Sequence, residues 1–117
     1  MPLYVLGLEE VDRTKLAVVG GKALGLAEFS RLAGIRVPKG FCVTTAAYAR
    51  TVAKSPELGP LLDWLSALPL GDRAGISQTS SGIRTLIEGL ETAADIEGEI
   101  VRHLSDLGEE EAPYAVR

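Results

Sequence analysis

Two adjacent glycines followed by a lysine constrain this chain more than any other stretch: Val18-Val19-Gly20-Gly21-Lys22-Ala23-Leu24-Gly25-Leu26. Residues from Lys22 to Ala33 have helical spacing, which predicts a helix burying Leu26, Phe29, Leu32 and Ala33, with Gly34 as its stop. A helix that starts at glycine leaves unpaired backbone N–H groups at its positive end, a setting that favours an anion. Two well-known phosphate loops do not fit the spacing. A Walker A loop needs a hydroxyl after the lysine, where Ala23 stands, and a glycine where Leu16 stands. The dinucleotide fingerprint fails because Lys22 occupies its second glycine. Two readings of the residues stay open. Gly20 and Gly21 form a tight turn ahead of a helix, or they form a phosphate loop of different spacing with Lys22 as a mobile point charge.

Composition narrows the class. At 117 residues the chain is the size of one small domain. Its 46% hydrophobic content is enough to bury a core. A formal net charge of -4 argues against a general nucleic-acid surface, which is usually basic. An anion would have to be held by locally placed cations and amides. One cysteine, Cys42, excludes an internal disulfide and a multi-cysteine metal site. No stretch is apolar enough for a membrane span, and Met1-Pro2-Leu3-Tyr4 lacks the pattern of a signal peptide. The expectation is a cytoplasmic protein with no membrane and no nucleic-acid partner.

The order of elements is mixed, giving an α+β fold class. Leu3 to Leu8 reads as a strand and Glu9 to Thr14 as a polar turn. Val37-Pro38-Lys39-Gly40-Phe41-Cys42-Val43-Thr44-Thr45 reads as a loop entering a short strand over 40–44, with Thr44 or Thr45 free to cap a helix over 45–53. Ser55-Pro56 interrupts that helix, and Pro60 to Leu68 reads as another. Asp72 to Leu90 carries Ile76, Ile83, Leu86, Ile87 and Leu90 as a helical stripe. Asp95 is the expected cap of a last helix, with Ile96, Ile100, Leu104 and Leu107 on one face and Gly108 ending it. Glu109-Glu110-Glu111 reads as a solvated loop, and Ala115-Val116 as the start of a final strand. That strand would be cut short at Arg117, leaving an edge through which the chain could self-associate.

Several chemically capable residues have plainer roles. His103 sits inside the last helical pattern and reads as a surface or boundary residue, not a phosphate carrier. Cys42, in an apolar strand without a nearby histidine, reads as core filler. Trp64 and Tyr48 are spaced as helix core or boundary residues, and Lys39 as a loop charge.

Val18 to Glu28 and Gly34 to Tyr48 together resemble the N-terminal ATP-binding region of the phosphoenolpyruvate synthase and pyruvate phosphate dikinase superfamily. Within it, Tyr4-Val5-Leu6, Gly40-Phe41-Cys42-Val43-Thr44-Thr45 and the segment Asp95 to Gly108 resemble the rifampin phosphotransferases most. The resemblance runs from about Tyr4 to Arg117 and is weaker from Val52 to Ala94. It implies that residues 1–117 are the N-terminal subdomain of an ATP-grasp-like nucleotide-binding domain, with the remaining domains elsewhere. It also implies ATP and Mg2+ as cofactors, and rifampin or another acceptor such as pyruvate. In such enzymes a histidine on a swivelling domain carries the phosphate. Position by position, Lys22 matches the family lysine on ATP phosphate, and Arg117 matches the arginine of an Ala-Val-Arg motif. The magnesium ligands and the carrier histidine are expected beyond Arg117. No catalytic residue and no metal ligand is therefore expected in residues 1–117, and the chain alone should be inactive. A non-catalytic binding or regulatory module is the competing expectation.

Overall fold

A computed structural model describes residues 3–108 and 113–117. The expected loop Glu109-Glu110-Glu111 lies outside them. The elements run β1 (Val5–Gly7), α1 (Leu16–Ser30), β2 (Phe41–Val43), α2 (Thr45–Val52), α3 (Leu58–Ala67), α4 (Arg73–Glu88) and α5 (Ala94–Asp106), with two single 3-10 turns at Leu8–Glu10 and Arg13–Lys15. The fold is α+β, as the mixed pattern implied. The backbone gathers into two units: Met1–Tyr48 with Ala93–Arg117, and Ala49–Thr92.

In the first unit, β1 and β2 pair antiparallel, with Val5 opposite Val43, Leu6 opposite Cys42 and Gly7 opposite Phe41. Leu6, Val11 and Ala27 form the buried cluster, with Val18, Val19, Leu24 and Cys42 packed against it. Val11 is fully buried. A lone apolar residue in the polar run 9–14 gives no periodic signal, so the sequence pattern does not mark it as core. The 3-10 turns place it there: Asp12 accepts from the Thr14 N–H at 2.9 Å and also from the Thr14 hydroxyl, an Asx-type turn.

The phase of α1 differs from expectation. Leu26, Phe29 and Leu32 are exposed, at 40%, 53% and 52%, and Ala33 is exposed as well, while Ala27 is buried. This helix is apolar on both faces, so spacing alone cannot choose which one packs. Polar ties accompany the face that packs. The Arg31 guanidinium donates to the backbone carbonyls of Glu9 and Val11, and Glu28 pairs with Arg13 at 3.0 Å. Both residues lie within about one turn after Ala27, whose methyl lets the helix approach Leu6 and Val11 closely. The helix ends at Ser30, before Ala33, and Gly34 takes φ +82° in the turn that follows.

Thr44 joins strand to helix. Its N–H donates to the Tyr4 carbonyl at 2.9 Å, its hydroxyl to the Leu3 carbonyl at 2.6 Å, and its Oγ1 accepts from the Ala47 N–H at 3.4 Å. It is therefore the cap of α2. α5 packs on β1, and Ile96 on it is buried, with Ile100, Leu104 and Leu107 half-buried on the same face. Gly108 ends that helix at φ +76°. Its N-cap position belongs to Ala93, without a side-chain bond, and Asp95 lies inside the first turn. There a carboxylate still meets the positive end of the dipole.

Residues 113–117 form no strand, contrary to the expectation for Ala115-Val116, and Val116 is 94% exposed. A strand needs a ladder partner, and among the described residues the sheet consists of β1 and β2. In the second unit α3 packs on α4. Asp72 caps α4 by accepting from the Gly75 N–H at 3.0 Å, and Leu58 and Ile83 are buried. Trp64, 64% exposed, points away from any core, and Tyr48 in the first unit is 56% exposed. No helix among the described residues is long and apolar enough to cross a membrane.

Candidate functional site

The Gly20-Gly21-Lys22 segment interrupts α1. Gly20 has φ 83° and ψ 168° inside an otherwise helical run. Only glycine occupies that region readily, because a Cβ there collides with the residue's own backbone. The helical phase is thus reset, and Gly21 and Lys22 stand in the first turn of the restarted helix, where amide N–H groups lack partners four residues back. A Cβ built on Gly20, Gly21 or Gly25 meets nothing within 4 Å, so the backbone here faces open space. Lys22 is exposed, and among the described residues no hydrogen bond or ion pair holds its ammonium. A flexible cation at the positive end of a restarted helix suits a phosphate chain.

The lead-in to this turn is tied down. Thr45 Oγ1 donates to the Ala17 carbonyl at 3.2 Å, joining the start of α2 to the residues before Gly20. Val18 and Val19 pack on the buried cluster. Arg117 lies in the irregular segment 113–117 and is exposed. Among the described residues no hydrogen bond or ion pair links it to the Gly20–Lys22 turn.

The remaining chemically capable groups have structural partners. His103 Nδ1 lies 2.9 Å from the Glu99 carbonyl oxygen, and its ring packs on Phe41 with centroids 5.4 Å apart. Cys42 is half-buried against the core, and burial pushes its thiol above the ordinary range. A raised thiol is mostly protonated near neutral pH and is a poor nucleophile. No group of three or more His, Cys, Asp or Glu suited to a metal ion occurs among the described residues. Sequence reasoning missed the Thr45–Ala17 bond and the Arg31 hook on Glu9 and Val11. Both join residues twenty or more positions apart, where local spacing carries no signal.

Comparison with known proteins shows the family of the chain. Residues 16–117 match the family model described as pyruvate phosphate dikinase, AMP/ATP-binding domain. The chain is 48% identical to the rifampicin phosphotransferase of Streptomyces sviceus over 97% of its own length and 13% of that protein. It is 44% identical to the rifampicin phosphotransferase of Bacillus subtilis, over 100% of its own length and 13% of that relative. The phosphoenolpyruvate synthase of Pyrococcus furiosus is more distant, 30% identical over 97% of this chain and 18% of that protein. The chain spans only 13% of the length of the rifampicin phosphotransferases it matches. With the family model covering nearly all of it, this chain belongs to the pyruvate phosphate dikinase AMP/ATP-binding domain family.

Proposed function

We propose that residues 1–117 are the N-terminal part of an ATP-grasp-like ATP-binding domain in a dikinase-type phosphotransferase, and that the complete protein phosphorylates rifampin. ATP, rifampin and water would yield phosphorylated rifampin, AMP and inorganic phosphate, with a histidine outside residues 1–117 carrying the phosphate. The observation that carries the proposal is the break at Gly20, which restarts the helix at Gly21 with the Lys22 ammonium unpaired. The 40–48% identity to rifampicin phosphotransferases, against 29–31% to phosphoenolpyruvate synthases, favours rifampin over pyruvate as acceptor.

In this role the Gly21 and Lys22 amides and the Lys22 ammonium hold the phosphates of ATP. ATP supplies the phosphoryl group. Lys22 offsets negative charge as it redistributes during transfer, and Arg117, whose guanidinium can hold two oxygens at once, is assigned as a second phosphate contact. Mg2+ accompanies the nucleotide and takes its ligands from other parts of the protein.

In the complete protein, Lys22→Ala should lower kcat for AMP formation by about a hundredfold to a thousandfold, the loss seen when one donor to developing charge is removed. AMP and phosphorylated rifampin, separated chromatographically, are the readout. Unchanged turnover in that variant would return Gly20-Gly21-Lys22 to a structural turn. Pyruvate-dependent AMP formation without any rifampin-dependent product would move the assignment to the phosphoenolpyruvate synthases.

A further inference from the structure

In an unbroken helix from Leu16, the Gly21 N–H would donate to the Ala17 carbonyl four residues back. Set against helical values of about −63° and −42°, the φ of 83° and ψ of 168° at Gly20 together carry the Gly21 amide off the helical path. The Gly21 N–H is thereby turned away from Ala17, and the Ala17 carbonyl loses the donor the helix would have given it. Thr45 supplies another: its hydroxyl donates to that same carbonyl at 3.2 Å from 28 residues downstream.

We propose that Thr45 is a positioning residue for the phosphate turn, an inference that rests on the role assigned above to Gly21 and Lys22. By donating to the Ala17 carbonyl, the Thr45 hydroxyl gives that acceptor a partner in the broken helix, so the break leaves it satisfied and costs less. The break at Gly20 then persists, and the Gly21 N–H and Lys22 stay turned outward. The hydroxyl is well placed for this work because the preceding residue is immobilised. Thr44 is 1% exposed and bonded through both its N–H and its hydroxyl to the backbone before β1. The pair Thr44-Thr45 thus divides two tasks. Thr44 caps α2 and fixes it to residues 3–4, and Thr45 reaches across to residue 17. This explains physically why Gly20-Gly21-Lys22 and Gly40-Phe41-Cys42-Val43-Thr44-Thr45 belong to one site: the second motif holds the first open.

Thr45→Val and Thr45→Ser in the complete protein test the proposal, with Lys22→Ala measured alongside. Valine keeps the shape and removes the donor, and serine restores it. Amide hydrogen exchange of peptides covering residues 17–24 reports whether Gly21 rejoins the helical ladder, and calorimetric titration reports ATP affinity. With Thr45→Val, exchange at Gly21 should slow several-fold and ATP should bind about two- to tenfold more weakly, the worth of one net hydrogen bond. Thr45→Ser should restore both. Unchanged exchange at Gly21 overturns the inference, and so does slowed exchange with unchanged ATP affinity. If Lys22→Ala weakens ATP and Thr45→Val does not, Thr45 alone is misassigned. If neither moves ATP affinity, the phosphate site itself is misassigned and the inference falls with it.

Discussion

Gly20 and Gly21 are neighbours with different obligations. Gly20 sits at φ 83°, ψ 168°, a region closed to residues with a Cβ, whereas Gly21 does not share that positive φ and has open space around its Cα. Gly20→Ala should therefore destabilise the protein by about 1–3 kcal/mol through backbone strain. Gly21→Ala should be neutral or slightly stabilising, since alanine replaces glycine within a helix. Urea unfolding of the two variants separates them, and equal losses would contradict the conformational account. Gly21→Ala is also informative for binding, because a methyl added there projects into the space assigned to phosphate.

Asp12 offers a pH test at the same scale. Its carboxyl is held below the ordinary range, first by the Thr14 hydroxyl and then by the Thr14 N–H. A lowered folded pKa means the carboxylate favours the native state above its unfolded pKa. That contribution is lost as pH falls through the lower folded value. The stability gap between the native sequence and Asp12→Asn should thus shrink as pH falls from the ordinary carboxylate value of 3.8 through the lowered folded one. The side chain is fully solvated, so the change is small. A gap independent of pH would show that the Thr14 bonds do not discriminate the charged form.

Among elements, β1, β2, α4 and α5 were legible because each carries one dominant periodicity or a clear stop. The Ile96-Ile100-Leu104-Leu107 face packs as expected, and Thr44, one of the two residues expected to cap α2, does so, whereas Asp95 does not cap α5. α1 was legible as a helix but not in its phase. The packed face is the one that carries Ala27 against Leu6 and Val11, with Arg31 and Glu28 reaching residues 9–13, contacts that no window along the helix contains. The candidate site was half legible. Lys22 and the two glycines stand out by type and order, while the backbone geometry of Gly20 and the Thr45 bond to Ala17 exist only in the folded chain. Thr44 gives an element-scale prediction. Replacing it with valine removes both the bond to the Leu3 carbonyl and the α2 cap, and should cost about 1–3 kcal/mol, largely restored by Thr44→Ser. Thermal unfolding is sufficient to measure this, and a loss well under 1 kcal/mol would mean water replaces both bonds.

At the scale of the whole molecule, the two units each keep their own buried residues, Leu6, Val11, Ala27 and Ile96 in one and Leu58 and Ile83 in the other. The side of α1 turned from Ala27 has a further consequence, colloidal in nature. Lys22, Leu26 and Phe29 follow one another at helical spacing along that side, and Leu32 and Ile35 continue the exposed apolar surface past the helix end. Apolar patches facing water promote clumping in concentrated solution. Handled as 117 residues, the protein should scatter increasingly more light per unit mass as its concentration rises. Phe29→Ser should suppress that rise without lowering the melting temperature, because Phe29 is 53% exposed and outside the buried cluster. If the serine variant clumps as readily as the original, the stickiness resides elsewhere on the surface. If clumping does subside, the helix that carries Lys22 also sets the limit on how much of this chain can be kept in solution.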